Sequence, residues 1–412
     1  MNQQQPVPFV DLRRFEDGFL DAWAARVADI SAGTRFVGGP DVARLEARLA
    51  EAAGAGAVVG CANGTDALQL ALRAIGVGQG DVVVVPDATF WATFEAVVNV
   101  GARVVTVDID PVDLQMDFDR FVQAVDRYRP RAAILVHLYG WGSRRLDDLR
   151  AFCAGRGLPL VEDGAQVWGA EWRGEPVFAG AEVATVSFYP AKVLGACGDS
   201  GAVVCRDPAL AAAIRTLGNH GRTDHYAHGV VGWNSRMGGL DAAWLDLCLD
   251  HLPERLASRR RAAARYRVAL DDIDGVRLVG PPVGWTENGY LSVLLLEPER
   301  KAALENALRH AGIGFGNTYP GSLSRQPGAR GHLAGAVGGA EAARLGAGVL
   351  NLPLFAHIAE HEVERVIAVV REALGAGRPS GSAEAARVEA DVPGEGALAA
   401  IHRAPAVVEH DG

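Results

Sequence analysis

Short unbroken runs of β-branched and small apolar residues recur along the first two-thirds of the chain. They are Ala57–Gly60, Val82–Pro86, Arg103–Asp108, Ala132–Leu138, Pro159–Asp163, Val183–Phe188 and Gly201–Cys205. Most are continuous and do not alternate apolar with polar positions. Such runs predict strands buried on both faces, as in a parallel sheet covered by helices. The stretches between them, Asp66–Ile75, Trp91–Val100, Asp117–Arg129 and Leu146–Arg156, read as helices. Strand–helix alternation of this kind predicts an α/β fold.

The pattern changes near residue 240. Gly239 to Asp271 is rich in Ala, Leu and Arg and predicts a long helix, kinked or broken at Pro253. Trp244, Leu245 and Leu249 give its first half an apolar face suited to packing against a second subunit. A smaller α+β unit follows: strand Tyr290–Leu296, helix Glu299–His310, strand Gly348–Leu352 and helix Glu360–Leu374. Beyond Gly375 the chain turns to Gly, Pro, Ser, Ala and Glu without a period. This predicts a large α/β unit over 1–240, a connecting helix over 241–271, a small α+β unit over 272–376 and a poorly ordered tail over 377–412.

Length and charge narrow the function. At 412 residues the chain exceeds one core of about 250–300 residues, which agrees with two lobes. The 50 acidic and 40 basic side chains leave a net charge of −10. No basic surplus exists to neutralise phosphates, so nucleic-acid binding and an anionic membrane surface are both disfavoured. The apolar runs are far shorter than the ~20 residues of a membrane span, and Met1–Val10 lacks the charged and apolar regions of a signal peptide. Five dispersed cysteines, none in a metal-ligand spacing, read as buried thiols of a reducing cytoplasm.

Four segments carry candidate chemistry. Cys61-Ala-Asn-Gly-Thr-Asp joins a strand to a helix, and Gly64 and Thr65 sit where the helix begins. Free amides and the positive dipole end there suit an anion, although Asn63 or Thr65 acting as a plain N-cap explains the same residues. Asp163 ends a buried strand, where α/β folds bind ligands; a carboxylate capping the next helix is the simpler reading. Lys192 follows another strand in the run Ser187-Phe-Tyr-Pro-Ala-Lys, flanked by Val193, Leu194, Gly195 and Ala196. An apolar setting can turn a lysine into an amine nucleophile toward carbonyls. The chain holds one other lysine, Lys301, in a polar helical turn. Gly232-Trp-Asn-Ser-Arg-Met237, taken alone, is a polar loop.

Together these segments offer an anion cradle, a carboxylate and an amine at strand ends. Pyridoxal 5′-phosphate asks for those three: a helix N-terminus for its phosphate, an acid for its ring nitrogen and a lysine for a Schiff base with its aldehyde. The ordered set Asn63-Gly-Thr-Asp-Ala-Leu, Asp87-Ala-Thr-Phe-Trp-Ala-Thr93, His137-Leu-Tyr-Gly140, Glu162-Asp-Gly-Ala-Gln166, Ser187-Phe-Tyr-Pro-Ala-Lys192 and Asn234-Ser-Arg-Met237 resembles the DegT/StrS family of sugar aminotransferases from about Val7 to Leu374.

The resemblance implies a type I pyridoxal-phosphate fold. It implies that Lys192 carries the cofactor and moves the substrate proton, and that Asp163 pairs with the ring nitrogen. Gln166 would lie beside the ring hydroxyl and Phe90 on the ring face. Gly64, Thr65 and Ser187 would hold the phosphate, with Asn234 reaching it from the partner of a homodimer. The implied reaction moves an amino group from an amino acid, L-glutamate in most of the family, to a 3- or 4-keto-6-deoxyhexose linked to dTDP, with no metal. Two enzymatic alternatives stand beside it: glutamine-dependent amination of a keto-cyclitol, and sugar dehydration, which the retained Lys192 and scattered cysteines oppose. A sensor on a decayed fold should have lost Lys192 or Asp163. The chain departs from the family at Ser200, where a glycine is usual, and over Thr216–Arg222, which leaves the sugar open.

Overall fold

The computed structural model describes residues 5–376; the tail predicted over 377–412 lies outside them. Eight strands form the main sheet. Their spatial order is Ala57–Cys61, Gly201–Cys205, Val183–Ser187, Leu160–Asp163, Ala132–Val136, Val82–Pro86, Arg103–Val107 and Leu333–Val337. Gly201–Cys205 runs antiparallel to both neighbours, and the other pairings are parallel. Val83–Val85, Val104, Val105 and Ala132–Leu135 are fully buried. Continuous apolar runs are required here because helices cover both faces. Each buried valine contributes about 1.5–3 kcal/mol.

A three-stranded antiparallel sheet of Val276–Val279, Ser292–Leu296 and Val349–Leu352 builds the smaller unit. It packs with helices Pro298–His310 and Glu360–Ala373 around a second apolar cluster that includes Tyr266, Leu270, Leu304 and Val366. No helix of the described residues is long and apolar enough to cross a membrane.

The structure differs from the sequence pattern in several places. The break predicted at Pro253 in the Gly239–Asp271 helix falls two residues earlier, at His251, between helices Gly239–Asp250 and Leu252–Leu270. Pro253 sits in the first turn of the second, where its missing N–H breaks no hydrogen bond. Next, Leu333–Val337 leaves the small unit and pairs with Arg103–Val107 of the large sheet. Asp108, fully buried at the end of that neighbour, accepts the amides of Glu341 and Ala342 at 3.2 and 2.8 Å and caps the helix after the added strand. Finally, the apolar face of Trp244, Leu245 and Leu249 is covered within the chain. Trp244 packs edge-on against Phe15, Phe19 and Trp23 at ring distances of 5.6, 5.0 and 5.2 Å. Phe19–Ala32 is a helix that the strand–helix pattern does not single out, as is Pro40–Ala53.

Behind the strand ends lies a buried ion group. Glu162 receives two bonds of 2.8 Å from Arg150 and lies 2.9 Å from Nε2 of His137. Burial alone would raise the Glu162 carboxyl; the His137 hydrogen bond and the Arg150 charge overcome it and hold the group down to about 2. A carboxyl depressed from its ordinary 4.5 contributes stability above that pH and loses it as pH falls toward 2. Arg150→Met should strand the charge, destabilise the chain by about 3–5 kcal/mol and flatten that acid limb. Thermal unfolding from pH 6 to pH 2.5 checks this; an unchanged midpoint and slope would remove the pair from the stability account.

Candidate active site

The parallel strands end on one side of the sheet, and a cavity of about 890 Å³ opens there. Such strand ends are where α/β sheets bind ligands. Of the residues singled out by the sequence, Gly64, Thr65, Phe90, Asp163, Gln166, Ser187 and Lys192 all line it. Asn234 does not: it is exposed on a loop whose backbone bridges to Asn219.

One wall is the start of helix Gly64–Ala74. Asn63 is its N-cap, its side chain accepting the Asp66 amide at 2.8 Å. The capping reading of this segment is therefore correct for Asn63, and it leaves the amides of Gly64 and Thr65 without partners among the described residues. Ser187 stands against them. A Cβ on Gly64 would lie 2.6 Å from the Ser187 Cβ, and one on Gly201 would lie 2.5 Å from the Asn63 carbonyl carbon. Glycine at both positions lets the serine hydroxyl and the helix start come together. Free amides, a hydroxyl and a helix dipole form an anion cradle.

Asp163 forms the floor. It is 6% exposed, its two oxygens accepting the Ala165 amide at 3.1 Å and the Thr93 hydroxyl at 3.2 Å. Burial pushes its carboxyl up, against the Ala165 bond and the charge of Lys192. Paired in register beside it is Thr185, which lines the cavity with a buried hydroxyl that has no partner among the described residues. A buried acid and an orphaned hydroxyl facing the same space are incomplete without a polar ligand. Pyridoxal phosphate fits that demand at each end: a protonated ring nitrogen for Asp163 and a phosphate for the cradle.

Lys192 enters from the segment after Val183–Ser187. Its flanking Val193, Leu194 and Ala196 are buried, while the side chain is half-exposed and donates from Nζ to the Tyr290 hydroxyl at 3.2 Å. Gln166 is held at both ends. Its Oε1 accepts the Tyr139 amide at 2.7 Å and its Nε2 donates to the Tyr319 hydroxyl at 2.8 Å. Phe90 stands at the mouth, 56% exposed, with its ring 5.8 Å from that of Tyr319. Tyr290, Tyr319, Thr93, Thr185 and Arg259 complete the lining or its support and are not marked by the sequence reading. Thr93 lies inside a quoted motif; the others belong to segments with no pattern that points at a site.

Comparison with known proteins bears on this geometry. The model of the DegT/DnrJ/EryC1/StrS aminotransferase family matches residues 21–371. The chain is 36% identical over 367 residues to a dTDP-3-amino-3,4,6-trideoxy-alpha-D-glucose transaminase of Streptomyces venezuelae, covering 89% of this chain and 96% of that one. It is 36% identical over 324 residues to a UDP-2-acetamido-2-deoxy-3-oxo-D-glucuronate aminotransferase of Pseudomonas aeruginosa, covering 78% and 88%. Among solved structures, S. venezuelae DesV in complex with ketimine intermediate superposes with a TM-score of 0.84 at 35% identity, over 90% of this chain and 98% of that one.

Proposed function

Because the chain belongs to the DegT/DnrJ/EryC1/StrS aminotransferase family, and so is an aminotransferase that uses pyridoxal 5′-phosphate, we propose that it takes the amino group of L-glutamate and delivers it to the 3-keto carbon of a nucleotide-linked sugar, by a ping-pong sequence in one cavity. The observation that carries this reading is the convergence of Lys192, Asp163 and the free amides of Gly64 and Thr65 on that cavity. The sugar and its carbon rest on the names of the two curated relatives, both of which concern position 3.

Each side chain then has one task. When bound, pyridoxal phosphate supplies the electron sink that makes the amino-bearing carbon acidic. Lys192 Nζ holds the cofactor at rest and then takes and returns the proton at that carbon. Tyr290 orients the amine through its hydroxyl. Asp163 would face the ring nitrogen, with the Thr93 hydroxyl and the Ala165 amide fixing its direction. Gly64, Thr65 and Ser187 would hold the phosphate. Phe90 would cover the ring, and Gln166, aimed by Tyr139 and Tyr319, would meet its hydroxyl. A scaffold that had lost its chemistry would not be expected to keep both Lys192 and Asp163.

Asn234 serves the cradle of a second copy in a homodimer. Its loop supports this: Tyr226, Val230 and Val231 are 89%, 50% and 84% exposed, an apolar edge that a partner would cover.

Two outcomes follow. Glutamate should convert the yellow enzyme to its aminated, shorter-wavelength form. The converted enzyme, freed of glutamate, should then aminate a dTDP- or UDP-linked 3-keto sugar, detected as a product amine by mass spectrometry. Conversion by glutamine alone, with a keto-cyclitol as acceptor, would overturn the substrate assignment. For the dimer, chains carrying Lys192→Ala and Asn234→Ala should each be weak alone. Mixed and allowed to exchange, they should recover toward about a quarter of wild-type activity, since about half the dimers are mixed and each has one intact site of two. No recovery after verified exchange would mean Asn234 does not act across an interface.

A further inference from the structure

Arg259 lies in the wall of the cavity without a counter-charge. Helix Leu252–Leu270 carries Arg255 and Arg259 one turn apart, on one face. Arg255 is matched: it donates to both oxygens of Glu16 at 2.7 and 2.6 Å. Arg259 has no carboxylate within ion-pair reach among the described residues. Among the described residues only its Nη1 is bonded, to the carbonyls of Gly289 and Leu354 at 3.3 Å each, and its buried Nε has no partner there. The residue is 5% exposed. Burial pushes the guanidinium down to about 10, with Arg255 acting in the same direction, so it remains a cation at neutral pH. A buried cation with idle donors is unfavourable until an anion joins it.

The position of Arg259 says which anion. Gly289, whose carbonyl it touches, precedes Tyr290, and Tyr290 accepts the Lys192 amine. Lys192 and Arg259 also share the wall of a smaller adjoining cavity of about 280 Å³, which none of Gly64, Thr65 or Ser187 lines. Arg259 therefore lines the main cavity and also shares with Lys192 a wall that the phosphate cradle does not reach. An amino acid reacting at Lys192 carries its carboxylate one bond from the carbon whose proton is moved. We infer that Arg259 is the anchor for the α-carboxylate of the amino donor, a binding residue that acts in the donor half of the reaction. This rests on the transaminase reading above. A planar fork with two idle donor nitrogens matches a carboxylate.

Glutarate, a dicarboxylate without an amino group, is the probe, because it can bind without reacting. Calorimetry on the holoenzyme should show glutarate binding in competition with glutamate, and glutarate should raise the unfolding midpoint. Arg259→Met should weaken glutarate roughly 10–100-fold and abolish the midpoint shift, while dTDP binds as in wild type. Arg259→Gln, which keeps a donor for the two carbonyls, gives a second neutral variant should the first not fold, and the same losses are expected. Four results would overturn the inference: glutarate failing to bind wild type, unchanged glutarate affinity in a folded neutral variant, loss of dTDP affinity in place of glutarate affinity, or a fall in stability as the only effect. Failure of the transaminase reading is seen separately, as no spectral change of the wild-type enzyme with glutamate.

Discussion

A buried carboxylate at the end of a central strand is the constraint on which the site depends. Among the described residues Asp163 has two donors and no cation in contact, and burial opposes its charge. Such a group persists only where the surroundings fix it and a ligand can answer it. The sheet does the fixing. Val136 and Thr185 stand beside Asp163 in parallel register, so the acid cannot shift without breaking two ladders. Lys192 is delivered by the segment that follows the Thr185 strand. The acid and the amine are thus set by adjacent strands of one rigid sheet.

The second requirement is closure of the cavity from the far side. Tyr290, Tyr319 and Arg259 all come from chain beyond residue 250, yet Tyr290 bonds Lys192 and Tyr319 bonds Gln166. The smaller unit is held against the sheet by anchors that lie elsewhere. Leu333–Val337 extends the sheet itself, and Asp87, buried after a central strand, accepts both the amide and the hydroxyl of Ser324 at 2.7 and 2.8 Å. The cavity wall is therefore built by chain on both sides of residue 250, and the residue that bonds the Lys192 amine, Tyr290, lies almost one hundred positions after the lysine.

The sheet was legible in the sequence because strands buried on both faces must be apolar throughout, and seven such runs stand out. Lys192 was legible for a different reason: in a chain with two lysines, one beside a strand end is conspicuous. Asp163 became convincing only together with Lys192 and Gly64. Tyr290, Tyr319 and Arg259 were not legible, since each is brought to the cavity by tertiary packing that no local period encodes. Leu333–Val337 was missed because Leu-Ala-Gly-Ala-Val is weakly strand-forming and its glycine seats the Tyr128 ring. The face of Trp244 misled because its cover, Phe15 to Trp23, lies more than two hundred residues away.

The most direct test of the account is covalent. Borohydride reduction of the holoenzyme, followed by digestion and mass mapping, should place the pyridoxyl mass on Lys192, and Lys192→Ala should carry none. The mass on Lys301, or its absence from the wild-type chain, would contradict the assignment of the cavity.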